Sequence, residues 1–232
     1  MSLCEAVRLN EIDELERLIS DGGDLFEISA NKPSFKNNTL HVAVSRLTCN
    51  PDIVKILLRR ANELGREYLE NYINSQNSDA ESPLFICCHY GSDFSGHEEV
   101  IQLLMSNGVD LNKQNDSGDT PLHRVLYQDE SNSICELLIN SGARIDIPNS
   151  EGETARDMVG VPKHILKLMD EVERRNELET SQRIKKTKLS VLTGHRERMG
   201  RARLKKDRSK SKKRRSKHKS KHSKRRRKRS KK

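Results

Sequence analysis

Apolar positions in the first 170 residues fall in short bursts at helical spacing, separated by polar joints. Five bursts repeat at i, i+3, i+4 intervals: Asp13–Ile19, Asp52–Leu58, Glu99–Met105, Ser133–Ile139 and His164–Met169. Each predicts an amphipathic helix. Three are followed by a glycine-led stop: Gly22-Gly23-Asp24, Gly108-Val109-Asp110 and Gly142-Ala143-Arg144. Glycine there suits the left-handed residue that ends a helix. A shorter apolar group precedes each burst, marked by Leu3, Leu40, Leu84 and Leu122, with Arg156 at the corresponding place in the fifth. The spacings between these markers are 37, 44, 38 and 34 residues. Helix pairs recurring at such a period are each too small to bury their own apolar face, so neighbours must stack. The expected fold class is all-α.

The fullest unit is Asn112–Arg144. A turn, Asp116-Ser117-Gly118-Asp119, leads into Thr120-Pro121-Leu122-His123, and two helical patterns follow. Thr120 is placed to cap the first helix, and Pro121 suits a first turn where its missing N–H costs nothing. This unit resembles an ankyrin repeat, whose hallmark is Thr-Pro-Leu-His at the start of two antiparallel helices. Asn38-Thr39-Leu40-His41 keeps the Leu and His without the Pro; Ser82-Pro83-Leu84-Phe85 keeps Pro and Leu with Phe in place of His.

The resemblance covers about five repeats over residues 1–170, with degenerate end copies, and implies an ankyrin-repeat solenoid of stacked helix pairs. It implies structural roles for His41 and His123, bonding helix start to neighbouring hairpin, and for His97. It implies a protein-binding scaffold that works through its hairpin tips and the exposed faces of its first helices. The tips fall near residues 32–37, 78–81, 116–119 and 150–153. The protein-binding residues expected on this basis are Arg46, Asp116, Ser117, Asp119, Arg124 and Gln128.

Two departures stand out. Between Leu58 and Asn74 the second repeat inserts RRANELGREYLENYI, read as an elongated or extra helix carrying Tyr68, Leu69 and Tyr72. Between Cys88 and Glu99 the third inserts a Gly/Ser loop. Such insertions go to surface loops, either as tolerated additions or as part of a binding face. Arg156, at an inner apolar position, fits a terminal copy on which nothing further packs.

Charge divides the chain sharply. Residues 183–232 hold 27 basic and 2 acidic residues, a net +25, whereas residues 1–182 carry a net −15. The last 32 residues contain two apolar side chains, Ala202 and Leu204. A segment so poor in apolar surface cannot offset its ordering entropy. The expected organisation is a repeat domain at 1–170, an extended helix and linker at 171–200, and a disordered Lys/Arg/Ser-rich tail at 201–232.

Several classes are disfavoured. No run approaches the roughly 18 apolar residues of a membrane span, and the first residues do not read as a secretory signal. The five cysteines lie in apolar stretches without a Cys-x-x-Cys pair, which reads as reduced core thiols in an intracellular protein. No phosphate-loop, nucleotide-binding, serine-hydrolase or zinc-protease motif occurs. The expectation is a non-enzyme with no catalytic residue, no cofactor and no metal. Cys87 and Cys88, adjacent on a helix, point to different sides and do not form one chelating face.

The tail carries the remaining signal. It has 21 basic residues against one acid. That density binds polyanions by counterion release, with little sequence preference. Lys212, Lys213, Arg214 and Arg215, and Arg225, Arg226, Arg227, Lys228 and Arg229, form clusters that resemble nuclear import signals. Six serines interleave with the cations, so phosphorylation would cancel much of the charge. The combined expectation is a monomeric nuclear adaptor. Its repeats hold a protein partner, and its tail meets an import receptor and RNA or DNA. The alternative is an RNA- or DNA-binding protein that acts through the tail, with the repeats as regulator. Either use is compatible with an endogenous protein or a pathogen effector.

Overall fold

The computed structural model describes residues 1–30, 33–45, 49–90, 96–127 and 132–187. Arg46, Gln128 and every basic residue named in the tail lie outside them. The chain divides into two units, residues 1–173 and 174–232. Within the second, residues 174–187 are helical and exposed. No described helix is long and apolar enough to cross a membrane.

The first unit is built of helix pairs. α1 (Leu3–Leu9) pairs with α2 (Ile12–Ser20), and α3 (Thr39–Ala43) with α4 (Pro51–Leu64). After α5 (Arg66–Ile73) come α6 (Pro83–His89) with α7 (His97–Ser106), then α8 (Pro121–Leu126) with α9 (Asn132–Asn140). The described residues contain no strand.

The first helices are five to seven residues long. Each is started by a side chain that accepts from backbone N–H groups otherwise left without partners. Ser2 accepts from Glu5 N–H, Asn38 from Leu40 and His41, Ser82 from Phe85 and Thr120 from His123. Pro83 and Pro121 occupy the first turns of α6 and α8.

The pairs stack in two layers. α1, α3, α6 and α8 contact one another in succession, and α2, α4 and α7 do the same. One continuous core results. The marker leucines Leu40, Leu84 and Leu122 are fully buried and Leu3 nearly so.

The insertion in the second repeat departs from a surface loop. Gly65 ends the lengthened α4, and α5 turns back to bury Leu69, Tyr72 and Ile73. Phe26, from the loop after α2, meets Tyr68 and Tyr72 edge to face, with ring centroids 5.4 Å apart in each case. Thr39 Oγ1 donates to the Leu25 carbonyl at 2.6 Å and so is left to accept from the Tyr72 hydroxyl at 2.5 Å. α5 thus seals the joint between the first two repeats.

The fifth copy is reduced to a cap. Residues 155–157 form a turn rather than a first helix, closed by Thr154 N–H and Oγ1 donating to the Asp157 carboxylate. Ala155 is buried. Arg156 lies half-exposed and pairs with Asp170 at 2.8 Å and Glu173 at 3.0 Å on the helix that follows.

Tyr72 offers a direct check on the joint. Tyr72→Phe removes one hydrogen bond and costs about 1 kcal/mol. Tyr72→Ala also empties the space and costs about 3–5 kcal/mol. Urea denaturation of the two variants measures both, and equal costs would show that the hydroxyl, rather than the ring, carries the contact.

Candidate functional site

Three hairpin turns share one construction. Asn77 Oδ1 accepts from the backbone N–H groups of Asp79 and Glu81, at 3.0 and 2.9 Å. Asn115 Oδ1 does the same for Ser117 and Asp119, and Asn149 Oδ1 for Glu151 and Glu153. Each asparagine N–H donates across the turn, to the carbonyl of Glu81, Asp119 or Glu153.

The turns are then fastened to one another. Ser78 N–H donates to the Phe35 carbonyl at 2.8 Å, Asp116 N–H to Asp79 at 3.1 Å and Ser150 N–H to Ser117 at 2.9 Å. Gln76 Nε2 bridges the carbonyls of Ala80 and Gln114; Gln114 Nε2 bridges Gly118 and Pro148. Beneath the tips, Asp110 N–H reaches Asn74 Oδ1, and Arg144 N–H reaches Asn112 Oδ1. Net hydrogen bonds contribute about 0.5–1.5 kcal/mol each. Their larger effect here is to hold the tips in fixed register.

The two hallmark histidines join this ladder to the helices. His41 Nε2 lies 3.2 Å from the Glu81 carbonyl, and His123 Nε2 lies 3.2 Å from that of Glu153. A carbonyl only accepts, so Nε2 carries the proton in both rings. The other ring nitrogen accepts from the helix start: Asn38 N–H for His41, Thr120 N–H for His123. Burial drives the His41 pKa down to about 4, although its bond to the Glu81 carbonyl pulls the other way.

The exposed side chains at the tips form a row. Ser78 and Asp79, Asp116 and Ser117, and Ser150 and Glu151 all face solvent on consecutive turns. Each pair joins a hydroxyl to a carboxylate. Asp119 differs from the expectation of a free tip residue: it is half-buried and its Oδ1 accepts from Asn149 Nδ2 at 3.1 Å. Arg124 differs as well. It is half-buried on α8, with its guanidinium 3.0 Å from His89 Nε2 on α6. Burial, reinforced by the Arg124 charge, holds the His89 pKa below its ordinary value. Asp116 and Ser117 remain available to a partner. The turn-forming Asn and Gln residues were not anticipated from the sequence. Their signal is there, in Asn74-Ser75-Gln76-Asn77 recurring as Asn112-Lys113-Gln114-Asn115.

Cys4, Cys87, Cys88 and Cys135 are buried. Desolvation pushes the Cys4 and Cys135 thiols up to about 12 and raises Cys87 and Cys88 as well. Cys49 is half-buried and behaves oppositely. A hydrogen bond from Cys87, aided by His97, holds its thiol below the ordinary value.

Residues 40–149 match the family model for ankyrin repeats, in three copies. Ankyrin repeat and SAM domain-containing protein 6 of Rattus norvegicus is 30% identical over 113 residues, covering 47% of this chain and 12% of that protein. Protein phosphatase 1 regulatory subunit 12A of the same species is 30% identical over 103 residues, covering 44% of this chain and 10% of that protein. Protein phosphatase 1 regulatory subunit 27 of Mus musculus is 30% identical over 81 residues, covering 35% of this chain and 52% of that protein. This chain therefore spans from about a tenth to about half the length of these relatives.

Two predictions test the ladder. Gly118 has φ +76°, and a Cβ there would stand 2.7 Å from Ser150 N, against the rung to the next turn. Gly152 has φ +84° with open space around it. Gly118→Ala should therefore destabilise more than Gly152→Ala, by at least about 1 kcal/mol; equal losses would mean that left-handed strain alone decides.

The second concerns pH. Above pH 6.5 His41 is neutral folded and unfolded, so its burial carries no protonation penalty. As pH falls toward about 4, the unfolded state takes a proton that the folded state refuses, and stability drops. Between pH 6.5 and 5 the loss from His41 is about 2 kcal/mol. Urea denaturation across that window should show a shallower slope for His41→Gln than for the parent chain.

Proposed function

We propose that this ankyrin-repeat protein is a non-catalytic adaptor whose row of acidic tips docks on the basic face of a protein partner. Ankyrin repeats act in protein–protein interaction. The observation that carries this reading is the exposure of Asp79, Asp116 and Glu151 on three turns held in register by backbone hydrogen bonds. Rigid, pre-positioned charge lowers the ordering cost of association and speeds encounter with an oppositely charged surface. The relatives named as regulatory subunits of protein phosphatase 1 make that phosphatase the first partner to test.

The Lys/Arg clusters at 212–215 and 225–229 complete the proposal. They direct the protein to the nucleus through an import receptor and add salt-sensitive affinity for RNA or DNA. A second reading makes nucleic-acid binding by the tail the principal activity and the repeats its regulator. It is favoured by the 21 basic residues among the last 32.

Capture of purified protein phosphatase 1 by the full chain, after nuclease treatment, tests the first reading. Combined Asp79→Asn, Asp116→Asn and Glu151→Gln changes should weaken capture about ten-fold at low salt, chiefly through slower association, with a smaller effect at high salt. Removing residues 201–232 should abolish nuclear accumulation of a fluorescent fusion while leaving capture intact. If tail removal alone ends every interaction and the tip changes none, the second reading stands.

A further inference from the structure

Three side chains from separate parts of the repeat array meet beside the second and third repeats. Cys49 precedes Asn50, the capping residue of α4; Cys87 lies on α6; His97 opens α7. Their sulfur atoms and a ring nitrogen of His97 all lie within 4.8 Å of one another. Cys87 and His97 are fully buried, while Cys49 is half-buried and gives the cluster an approach from solvent.

The backbone is arranged to permit this meeting. Gly96 is left-handed, at φ 108° and ψ −24°, and it delivers His97 to the start of α7. A Cβ on Gly96 would stand 3.3 Å from the Cys49 carbonyl and 3.4 Å from Pro51 Cδ. The α7 start and the segment before α4 come this close because the residue between them has no side chain. Cys88, next in sequence to Cys87, takes no part in the cluster.

Two thiolates and an imidazole are a soft donor set. It matches Zn(II), and the absence of carboxylate from the cluster disfavours Ca(II) and Mg(II). A tetrahedral ion with Zn–S near 2.3 Å and Zn–N near 2.0 Å needs donors about 3.5–3.8 Å apart. Donors already within 4.8 Å reach that by modest side-chain rotation.

We propose that Cys49, Cys87 and His97 form a Zn(II) site, with water in the fourth position. On binding, both thiols give up their protons to solvent, and the two thiolates neutralise the dication. The ion would clamp the start of α4, in the second repeat, to both helices of the third. It would act as a cross-link across one joint of the array and stabilise the folded chain by mass action.

Co(II) is the probe, because thiolate ligation gives a charge-transfer band in the near ultraviolet that nitrogen and oxygen ligands do not give. The reduced full chain, stripped of metal, is titrated with Co(II) and then with Zn(II). Expected are about one Co(II) per chain with a thiolate band, and loss of the band as Zn(II) displaces it. The histidines of the tail can bind Co(II) but contribute no such band. Cys49→Ser, at the half-buried position, should abolish the band with the fold retained by circular dichroism. Cys88→Ser and Cys135→Ser should keep it. Zn(II) should raise the melting temperature of the parent chain and leave that of Cys49→Ser unchanged. No thiolate band in the parent, or a band that survives Cys49→Ser, would each overturn the proposal.

Discussion

A helix of five to seven residues cannot persist alone in water, because fixing its first turn costs more than the few hydrogen bonds it gains return. α1, α3, α6 and α8 are all of this length. Everything else in the first unit answers that constraint. Polar capping residues satisfy the helix starts, the leucine at the first or second position of each anchors it in a shared core, and the longer second helices form the other layer. His41 and His123 link the caps to the neighbouring turn, so helix and hairpin stand or fall together. The tips that present Asp116 and Ser117 are rigid because the helices behind them require it.

Much of this arrangement is legible in the sequence, and the parts that are not share a cause. Leu40, Leu84 and Leu122 reveal the repeat because an inner position tolerates one kind of side chain. Thr120 and Pro121 reveal a helix start because capping is local chemistry. The family resemblance implies Asp119 and Arg124 as partner contacts, one at a hairpin tip and one on a first helix. Within the chain they meet Asn149 and His89, 30 and 35 residues away, contacts that depend on how closely successive repeats approach. α5 was legible as helix, but its burial was not: Tyr72 finds its place only once Leu25 and Thr39 are brought beneath it. Cys49, Cys87 and His97 have no motif spacing at all. Stacking alone gathers them.

The division of charge acquires a structural meaning in the first unit. Lys55 with Glu99 and Arg59 with Glu16 join neighbouring second helices at the surface, and Arg17 pairs with Glu14 within α2; such exposed pairs contribute little to stability. The carboxylates at the tips of the three later turns are left facing outward. Among the described residues, ion pairs thus join neighbouring second helices, while Asp79, Asp116 and Glu151 face solvent at the tips.

The 44-residue gap between Leu40 and Leu84 is the widest between the repeat markers, yet the turn that follows it occupies an ordinary rung, with Ser78 bonded to Phe35. α5 takes up the surplus by folding the added chain back against the first repeat. The array therefore keeps its pitch in space while its period in sequence varies. An end of an outer helix is a place where such a protein can lengthen over evolutionary time, adding buried surface of its own, without moving the next tip out of line.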